Sequence, residues 1–414
     1  MNRIFLICGI ILCSTLTLSC SKDEDKSSDN NKQLVNLIPE KKPIILKEKE
    51  KSYILSCNEF AFNLFKQTND IQESRIISPL SLAYILGMLQ HGADGDTEQE
   101  IKEILGLKQA DKTAISQFFE NLIENAPQVD SNVHIDIANA LFVNKGIKPL
   151  ASYENDMKNY YKATIKSLDF ANTSAVDEIN NWCKKQTQGS IGKILDETNP
   201  EAQSYFLNAI LFKAAWTDHF DPKNTWNSTF TKEDRTNINI PMMHLTANAN
   251  ITGNEYCTTL CLPYSNWGFV MYLMLPNDGY TTQQIIERLN SSSLEEIKRG
   301  MSGRQVEISL PRFTSRFNKD MTGYLKQMGL TKAFSSDAQF PYITADQMNV
   351  GKIRQSAMIE VNEEGTKTAA VSVSESDVEV VYEPNEFKAN HPFVYIIQEM
   401  TSGAIFFVGT YMGD

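Results

Sequence analysis

Residues 363–376 read Glu-Glu-Gly-Thr-Lys-Thr-Ala-Ala-Val-Ser-Val-Ser-Glu-Ser, and from Thr366 onward every second residue is small. The residues in between are mixed in size and include charges. Successive side chains of a β-strand point to opposite faces, so this pattern predicts a strand that can lie inside a sheet with its small side against packed helices. No proline interrupts the segment before Pro384, and Gly365 permits the backbone change of a hinge. A solvated linker rich in serine and threonine is the alternative.

The rest of the chain separates helical signals from strand signals. Helical spacing and capping residues dominate the first half, as at Ile54–Phe65, Ser78-Pro79 and Thr97 with Glu100, which we interpret as a capping box. β-Branched and aromatic runs dominate the second half, as at Leu260–Leu275 and Ala404–Tyr411. This segregation favours an α+β fold with antiparallel or mixed sheets over a doubly wound one.

The bulk composition fits a large globular domain with an acidic surface. The chain has 414 residues, of which 42% are hydrophobic, and its formal net charge is −12. A charge of this sign argues against nucleic acid and anionic lipid headgroups as partners.

The N-terminus has the pattern of an export signal. Residues 1–19 combine Arg3 with a short apolar run, and Cys20 follows Ser19 in the manner of a bacterial lipoprotein signal, which predicts acylation of Cys20. An ordinary signal peptide is the alternative. Residues 20–50 are polar and predict a flexible tether, and residues 51–414 predict one domain. The acidic run 21–25 resembles the surface-export tag of some Gram-negative lipoproteins (Bacteroides-like), although a solvated charge run explains it as well. These signals predict an outer-membrane lipoprotein, exposed at the surface or extracellular.

No motif in the sequence indicates catalysis or metal binding. The five histidines form no His-x-x-x-His pair, and there is neither a Gly-x-Ser-x-Gly elbow nor a phosphate-binding glycine loop. Cys57, Cys183, Cys257 and Cys261 lack zinc-site spacing, and we interpret them as small core residues. We therefore expect no cofactor, no metal and no enzymatic activity.

An ordered set of short blocks resembles the serpin family. The resemblance covers about residues 51–414 and implies an α+β serpin fold with three β-sheets, about eight to nine helices and an exposed reactive-centre loop at about 363–386. It also implies a monomer. The blocks are Asn58–Phe62, Ile77–Ser81, Leu207–Trp216, Pro241–Met243, Leu262–Tyr264, Leu310–Phe313, Glu363–Thr366, His391–Phe393 and Phe407–Gly409.

The resemblance also assigns roles to particular residues. The hinge of the loop corresponds to Glu363, Glu364, Gly365, Thr366, Thr368, Ala369 and Ala370. The polar "shutter" and the "breach" of the central sheet correspond to Ser78, Ser81, Asn208, Trp216 and Gln355. Gln355 departs from the histidine that is frequent in the family, but its amide can donate and accept hydrogen bonds.

The implied activity is irreversible protease inhibition. A protease cleaves the loop, forms an acyl-enzyme and is trapped in a covalent 1:1 complex as the cleaved loop inserts into the central sheet. Counting forward from Glu363 places the scissile bond at Glu379-Val380, and counting back from Pro392 places it at Val381-Tyr382. The valines suit elastase-like serine proteases or papain-like cysteine proteases, and a Glu-directed protease is a further alternative. A non-inhibitory serpin that acts as a binding module is the second hypothesis, and an enzyme with a spatially assembled triad is the third.

Overall fold

The computed structural model describes residues 40–68, 73–365 and 385–414. Within these ranges the chain forms nine α-helices and fourteen β-strands, so the expected α+β class and helix number are confirmed. In this part of the chain no helix is both long enough and apolar enough to cross a bilayer.

The helices are mostly short and lie mainly in the first half of the chain. Their bounds are α1 Glu48–Thr68, α2 Pro79–Gly92, α3 Gly95–Ile104, α4 Lys112–Asn125, α5 Ala151–Tyr161, α6 Ser174–Gln186, α7 Thr282–Arg288, α8 Ser291–Gly300 and α9 Thr322–Gln327.

The strands differ widely in length. Their bounds are β1 Arg75–Ile77, β2 Val133–Asn144, β3 Thr164–Leu168, β4 Ser204–Ala214, β5 Thr225–Thr231, β6 Asn237–Gly253, β7 Cys257–Tyr264, β8 Phe269–Pro276, β9 Ser302–Pro311, β10 Phe313–Asp320, β11 Lys352–Val361, β12 Asn385–Lys388, β13 Phe393–Glu399 and β14 Ile405–Tyr411.

The described strands join into two hydrogen-bonded sheets rather than the three that the sequence suggested. One sheet has nine strands in the order β1-β14-β13-β8-β7-β6-β9-β12, with β5 paired to β6. The merging is due to β6, whose 17 residues pair with β5 near its start, with β9 along its middle and with β7 at its end. A single long strand therefore connects two regions that would otherwise be separate sheets.

The second sheet has five strands in the order β10-β11-β4-β2-β3. Its two central neighbours, β11 and β4, run parallel, with Gln355 opposite Asn208. Because β11 and β4 run parallel to each other, a strand that turned back from the end of β11 and lay between them would run antiparallel to both.

Each face of the five-stranded sheet is buried against its own apolar cluster. Alternate residues of β4, such as Phe206 and Ile210, join the main core, which also holds α1, α2 and α4. Their neighbours Leu207 and Ala209 join a smaller cluster built with the apolar face of α6. The alternation follows from the two-residue period of a strand, and it leaves β4 covered on both sides.

Two local expectations have different outcomes. Ser78 caps α2, since its hydroxyl accepts the Ser81 amide proton and Pro79 occupies the first turn, as expected. The capping box at Thr97 and Glu100 is wrong, because α3 begins at Gly95 and its N-cap is Asp94. The two side chains instead bind other segments, with Thr97 Oγ1 accepting from the Gln339 amide and Glu100 accepting from the Thr331 amide.

The described end of the expected tether lies on the domain. Residues 40–47 precede α1, and Ile44 is buried with 3% of its surface exposed. The Ile44 amide donates to Thr401 Oγ1 at 2.8 Å, and the Lys42 amide donates to the Val129 carbonyl at 3.1 Å. These contacts show that residues from Lys42 onward pack against the rest of the domain.

Candidate functional site

The segment after β11 begins a turn back toward β4. The Asn362 amide donates to the Gly365 carbonyl at 2.9 Å, and the Gly365 amide donates to the Asn362 carbonyl at 3.1 Å. On its other side Gly365 forms an antiparallel bridge with Ala215, the residue that follows β4. Gly365 is therefore already flanked by extensions of both strands of the parallel pair.

Only glycine fits at this point. Gly365 has φ of 120°, in the region that residues with a side chain rarely adopt. A Cβ atom there would lie 2.3 Å from the Ala214 carbonyl oxygen and 2.5 Å from the Trp216 amide nitrogen. The predicted hinge glycine is thus required both by its backbone angle and by its close approach to β4.

The two glutamates before Gly365 hold the turn in different ways. The Glu363 carboxylate is buried, accepts the Thr225 hydroxyl proton at 2.7 Å and lies 3.4 Å from Arg312 Nη1. Glu364 is exposed, and its carbonyl accepts the Trp216 amide proton at 3.0 Å. The side chain of Glu363 therefore ties the hinge to β5 and to the residue between β9 and β10.

Trp216 packs against the same turn. Its indole Nε1–H donates to the Asn362 carbonyl at 3.0 Å, and its ring stacks on Tyr264 with centroids 4.4 Å apart. Both rings are buried. The aromatic pair thus supports the entrance to the parallel strand pair.

A polar row crosses the sheet below this entrance. Gln355, Asn208 and Asn139 occupy one rung of β11, β4 and β2. Gln355 Oε1 accepts from the Ser78 amide at 3.1 Å, and Gln355 Nε2 donates to the Ser78 carbonyl at 2.5 Å. Since Ser78 Oγ in turn bonds Ser81 Oγ at 3.0 Å, this row anchors the N-terminus of α2 to the sheet.

The row contains one unsatisfied acceptor. Asn208 Nδ2 donates to Asn139 Oδ1 at 2.9 Å, and Asn139 Nδ2 donates to the Tyr161 carbonyl at 3.0 Å. Asn208 Oδ1 is buried and has no hydrogen-bond partner among the described residues. Leaving a buried acceptor unpaired costs on the order of 1–3 kcal/mol, so this atom would gain from a donor placed between β11 and β4.

The structure brings together four of the predicted shutter residues, Ser78, Ser81, Asn208 and Gln355. Trp216 lies apart from them, at the hinge, with Glu363, Glu364 and Gly365. The other predicted positions lie outside the described residues: Thr366, Thr368, Ala369 and Ala370 of the hinge, the reactive-bond candidates Glu379, Val380, Val381 and Tyr382, and the lipidation candidate Cys20.

Sequence reasoning missed Asn139 and Thr225, and it quoted Ala215, Tyr264 and Arg312 only within family blocks, without a role. Each acts through a partner that is distant in the chain, so no local pattern marks them. Asn139 is the single polar residue in the apolar run 137–143, and this is the one signal in the sequence that could have indicated it.

A hydrogen-bonded chain of Ser116, His91 and Asp156 joins α4, α2 and α5. Ser116 Oγ lies 2.9 Å from His91 Nδ1, and His91 Nε2 lies 3.0 Å from Asp156 Oδ2. Ser116 is fully buried and also contacts the Tyr161 hydroxyl, so no substrate can reach its oxygen. The arrangement therefore ties three helices together and does not form a nucleophilic site. In the described part of the chain no three His, Cys, Asp or Glu side chains are placed to hold a metal ion.

Comparison with known proteins agrees with this geometry. The family model described as Serpin (serine protease inhibitor) matches residues 55–413, and the chain belongs to the serpin family. Human thyroxine-binding globulin is 31% identical over 366 residues, which cover 85% of this chain and 87% of that protein.

Solved serpin structures superpose over almost the whole domain. The native-state structure of the thermophilic serpin tengpin has a TM-score of 0.82 at 26% identity, and it covers 89% of this chain and 95% of tengpin. Mouse protein-Z-dependent protease inhibitor has a TM-score of 0.79 at 27% identity, with 88% and 98% of the two chains covered. The fold expected from the sequence is thereby confirmed.

Proposed function

We propose that this serpin is an irreversible suicide inhibitor of serine endopeptidases, with papain-like cysteine endopeptidases as a second target class. The observation that carries the proposal is the position of Gly365, bridged to Asn362 on one side and to Ala215 on the other. A chain that continues this hairpin can go only between β11 and β4.

The pairing at Gly365 sets the register of such an insertion. If the pairing continues, Thr366 lies between Val361 and Ala214, which are both buried on the main-core face. Every second residue after Thr366 then faces the same core. These are the small residues Thr368, Ala370, Ser372, Ser374 and Ser376. The small side of the loop would therefore face the closely packed main core.

The same register places Ser372 on the rung shared by Gln355 and Asn208. A serine hydroxyl there can donate to Asn208 Oδ1, the buried acceptor that has no partner in the described residues. Insertion would thus complete a polar row that is incomplete in the intact protein, and this contributes to the driving force.

The opposite face explains the larger residues of the loop. Val371 and Val373 would lie beside Ala209 and Leu207, which belong to the smaller apolar cluster under α6. β-Branched residues suit a strand covered on both faces. Val371 is therefore compatible with insertion and does not favour the non-inhibitory alternative.

The mechanism follows from these contacts. The protease nucleophile attacks the scissile carbonyl, the amine of the new C-terminal fragment leaves, and the upstream loop stays bound as an acyl ester or thioester. Cleavage releases that segment to insert, converting one parallel pair into two antiparallel pairs and satisfying its amides. The attached protease is carried along and distorted, and displacing catalytic groups by about 1 Å can slow deacylation roughly 10²-fold. In this mechanism the serpin contributes the inserting strand and its strain, and the catalytic groups that form the acyl-enzyme belong to the protease.

The sequence leaves two candidate scissile bonds, Glu379-Val380 and Val381-Tyr382. We keep elastase-like proteases as the first target class, because Val378, Val380 and Val381 lie at or beside these bonds. The experiment is incubation with elastase-like, chymotrypsin-like, Glu-directed and papain-like proteases. We expect an SDS-resistant 1:1 band with at least one of them, and the intact mass of the released peptide identifies the bond. Cleavage by every protease without a stable complex would overturn the proposal.

Thyroxine binding is the activity named for one relative, thyroxine-binding globulin. A binding module of that kind is the second candidate for this chain, and it has no need of an insertable loop. Heat stability before and after cleavage of the loop separates the two, because insertion predicts a large rise and a simple binding module predicts none.

We further propose that the serpin is held at the outer membrane by a lipid on Cys20, at the cell surface or facing the extracellular space. The support is the sequence pattern around Cys20. Residues 21–39 would then join the lipid to a domain whose packed contacts begin by residue 42. Metabolic labelling with a fatty acid, compared between wild type and Cys20→Ala, tests the anchor.

A further inference from the structure

The turn between β7 and β8 presents a tryptophan to solvent in an unfavourable backbone conformation. Trp267 keeps 39% of its surface exposed, and its φ of 65° lies in the left-handed region that bulky residues rarely adopt. The buried Asp130 carboxylate holds the turn, because it accepts the Asn266 amide proton at 3.0 Å and the Ser265 hydroxyl proton at 3.3 Å. Strained residues are frequent at functional sites, so the exposed indole is a candidate contact for a partner.

Two further exposed apolar side chains lie in segments that adjoin this turn. Met400 is 37% exposed, and its amide donates to the Gly268 carbonyl at 2.9 Å. The next residue, Thr401, accepts at 2.8 Å the amide proton of the residue that precedes Ile45, and Ile45 is 74% exposed. Direct hydrogen bonds therefore connect the three segments that carry Trp267, Met400 and Ile45.

The segment with Ile45 is basic, although the whole chain is acidic. Residues 40–51 contain five lysines and three glutamates, whereas the formal charge of the chain is −12. Two of these glutamates pair with lysines of the same segment, which leaves Lys41, Lys42 and Lys49 without an ion-pair partner among the described residues. The Lys41 ammonium donates to the Trp267 carbonyl at 2.8 Å, so the basic segment lies against the turn.

We call this surface the docking face, and the described chain begins next to it. The docking face consists of Lys41, Lys42, Ile45, Lys49, Trp267 and Met400. Residues 21–39 separate Cys20 from Glu40 in the sequence. If they behave as a flexible coil, their end-to-end distance is roughly 25 Å, so a lipid on Cys20 would hold the docking face close to the membrane.

We infer that the docking face binds an anionic lipid surface, with Trp267 among the headgroups and the lysines beside their phosphates. This inference extends the proposed lipid anchor and rests on it for the nearness of a membrane. Tryptophan is enriched at membrane–water interfaces, because its ring is apolar and its indole N–H is polar. Lysines close to an anionic leaflet are attracted by its negative surface potential. The overall negative charge does not oppose this, since screening limits the interaction to charges within about 10 Å of the lipid.

The test measures where Trp267 lies when the mature full-length protein is on vesicles. The vesicles combine phosphatidylglycerol with phosphatidylcholine brominated near the headgroup end of its acyl chains, so that bromine quenches an indole only at that depth. We expect the vesicles to quench wild-type fluorescence and Trp267→Phe to lose most of this quenching. Trp226→Phe is the matched control and should be quenched as wild type, because Trp226 is similarly exposed, at 52%, but stacks on His244 of β6. Equal melting temperatures confirm that the variants fold.

Charge reversal tests the contribution of the lysines. Lys42→Glu combined with Lys49→Glu should remove most of the quenching, and about 1 M salt, which shortens the screening length to about 3 Å, should do the same for wild type. Lys184→Glu combined with Lys185→Glu is the control, since it makes the same change of net charge at two exposed lysines of α6. This control should be quenched as wild type.

The outcomes separate docking from anchoring. The mass of the N-terminal peptide shows whether Cys20 is acylated. An unmodified Cys20 overturns the anchor, whereas the docking face stands if vesicles still quench Trp267. Quenching that persists in Trp267→Phe, or that is equally strong on phosphatidylcholine alone, overturns the docking face and leaves the anchor standing.

Two further results would assign the surface to another occupant. If soluble polyphosphate binds through Lys42 and Lys49 while vesicles leave Trp267 unquenched, the partner is a soluble polyanion and the lipid surface is overturned. If acrylamide fails to quench Trp267 in the absence of vesicles, another part of the chain covers the indole, and the docking face is overturned as well.

Discussion

Gly365 bridges Ala215 in antiparallel pairing while it closes a hairpin with Asn362. One residue of the hinge thus lies beside the ends of both β11 and β4, while these two strands remain paired with each other. Contacts on both sides of the turn hold it there, and the proposed inhibition requires a kinetic barrier that keeps the intact sheet at five strands.

Replacing Thr366 by arginine should convert the inhibitor into a substrate. In the proposed register, residue 366 would enter the main-core face between Val361 and Ala214, where a long charged side chain cannot be buried without a large cost. Cleavage should continue and the SDS-resistant complex should disappear, as measured on gels with increasing protease. Lys367→Arg is the control, since in the same register that side chain would lie beside the partly exposed Glu360 and Lys213 on the opposite face, and it should inhibit normally. A stable complex of Thr366→Arg at wild-type yield would contradict the mechanism.

Replacing Ser372 by alanine should weaken only the cleaved form. Without the hydroxyl, Asn208 Oδ1 keeps no donor after insertion, and the free energy of unfolding of the cleaved protein should fall by about 1 kcal/mol. Guanidinium unfolding of cleaved and intact protein measures the difference. Ser374→Ala is the comparison, because its rung lies two residues from the polar row. An equal loss in both variants, or in the intact protein, contradicts the predicted register.

Replacing Gln355 by leucine should destabilise the intact protein by about 2–4 kcal/mol. The change removes two hydrogen bonds to the Ser78 backbone and leaves buried polar groups at the start of α2 without partners. Gln355→His, which retains hydrogen-bonding nitrogen atoms, should lose less. Denaturant midpoints of the intact variants test the order, and equal midpoints for leucine and histidine would show that these bonds contribute nothing.

The two hinge glutamates should differ in their contribution to stability. Glu363→Ala removes the buried carboxylate that accepts from Thr225 and pairs with Arg312, and it should lower the free energy of unfolding by about 1–2 kcal/mol. The variant should also convert to an inserted or self-associated form more quickly on warming, which size-exclusion chromatography detects. Glu364→Ala, at an exposed position, should match wild type in both measurements. If Glu364→Ala were less stable than Glu363→Ala, the contacts of Glu363 would not be what stabilises the hinge.

The buried thiols should resist alkylation in the folded protein. Burial raises the pKa of Cys57, Cys183 and Cys261 to about 12 in each case, so at pH 8 the reactive thiolate fraction is about 10⁻⁴. Because burial raises the pKa of these thiols, the thiolate becomes a large fraction of each cysteine only as the pH approaches 12. Iodoacetamide at pH 8 should label these sites only after denaturation, as read by peptide mass spectrometry. Rapid labelling of the native protein would show that one of them is accessible.

Patterns along the chain determined a good part of this picture. The Ser78-Pro79 cap, the hinge glycine and the alternation of small residues after Thr366 depend on neighbours a few positions apart, where backbone geometry is set by local sterics and hydrogen bonds. At Thr97 the local pattern led to a wrong prediction. Its spacing fits a capping box, but its hydroxyl accepts the amide proton of Gln339, a residue far along the chain.

The tertiary structure alone decided which strands became neighbours. Three contacts depend on pairings between segments 138 to 150 residues apart, which no periodicity encodes. They are Gln355 beside Asn208, Gly365 beside Ala215, and the hydrogen bond from Thr225 to Glu363. The sequence contained an alternation of small and larger residues that predicts a strand. Only the fold showed the parallel pair, β11 and β4, between which we propose that this strand inserts, because a sheet position is created by the two strands that border it.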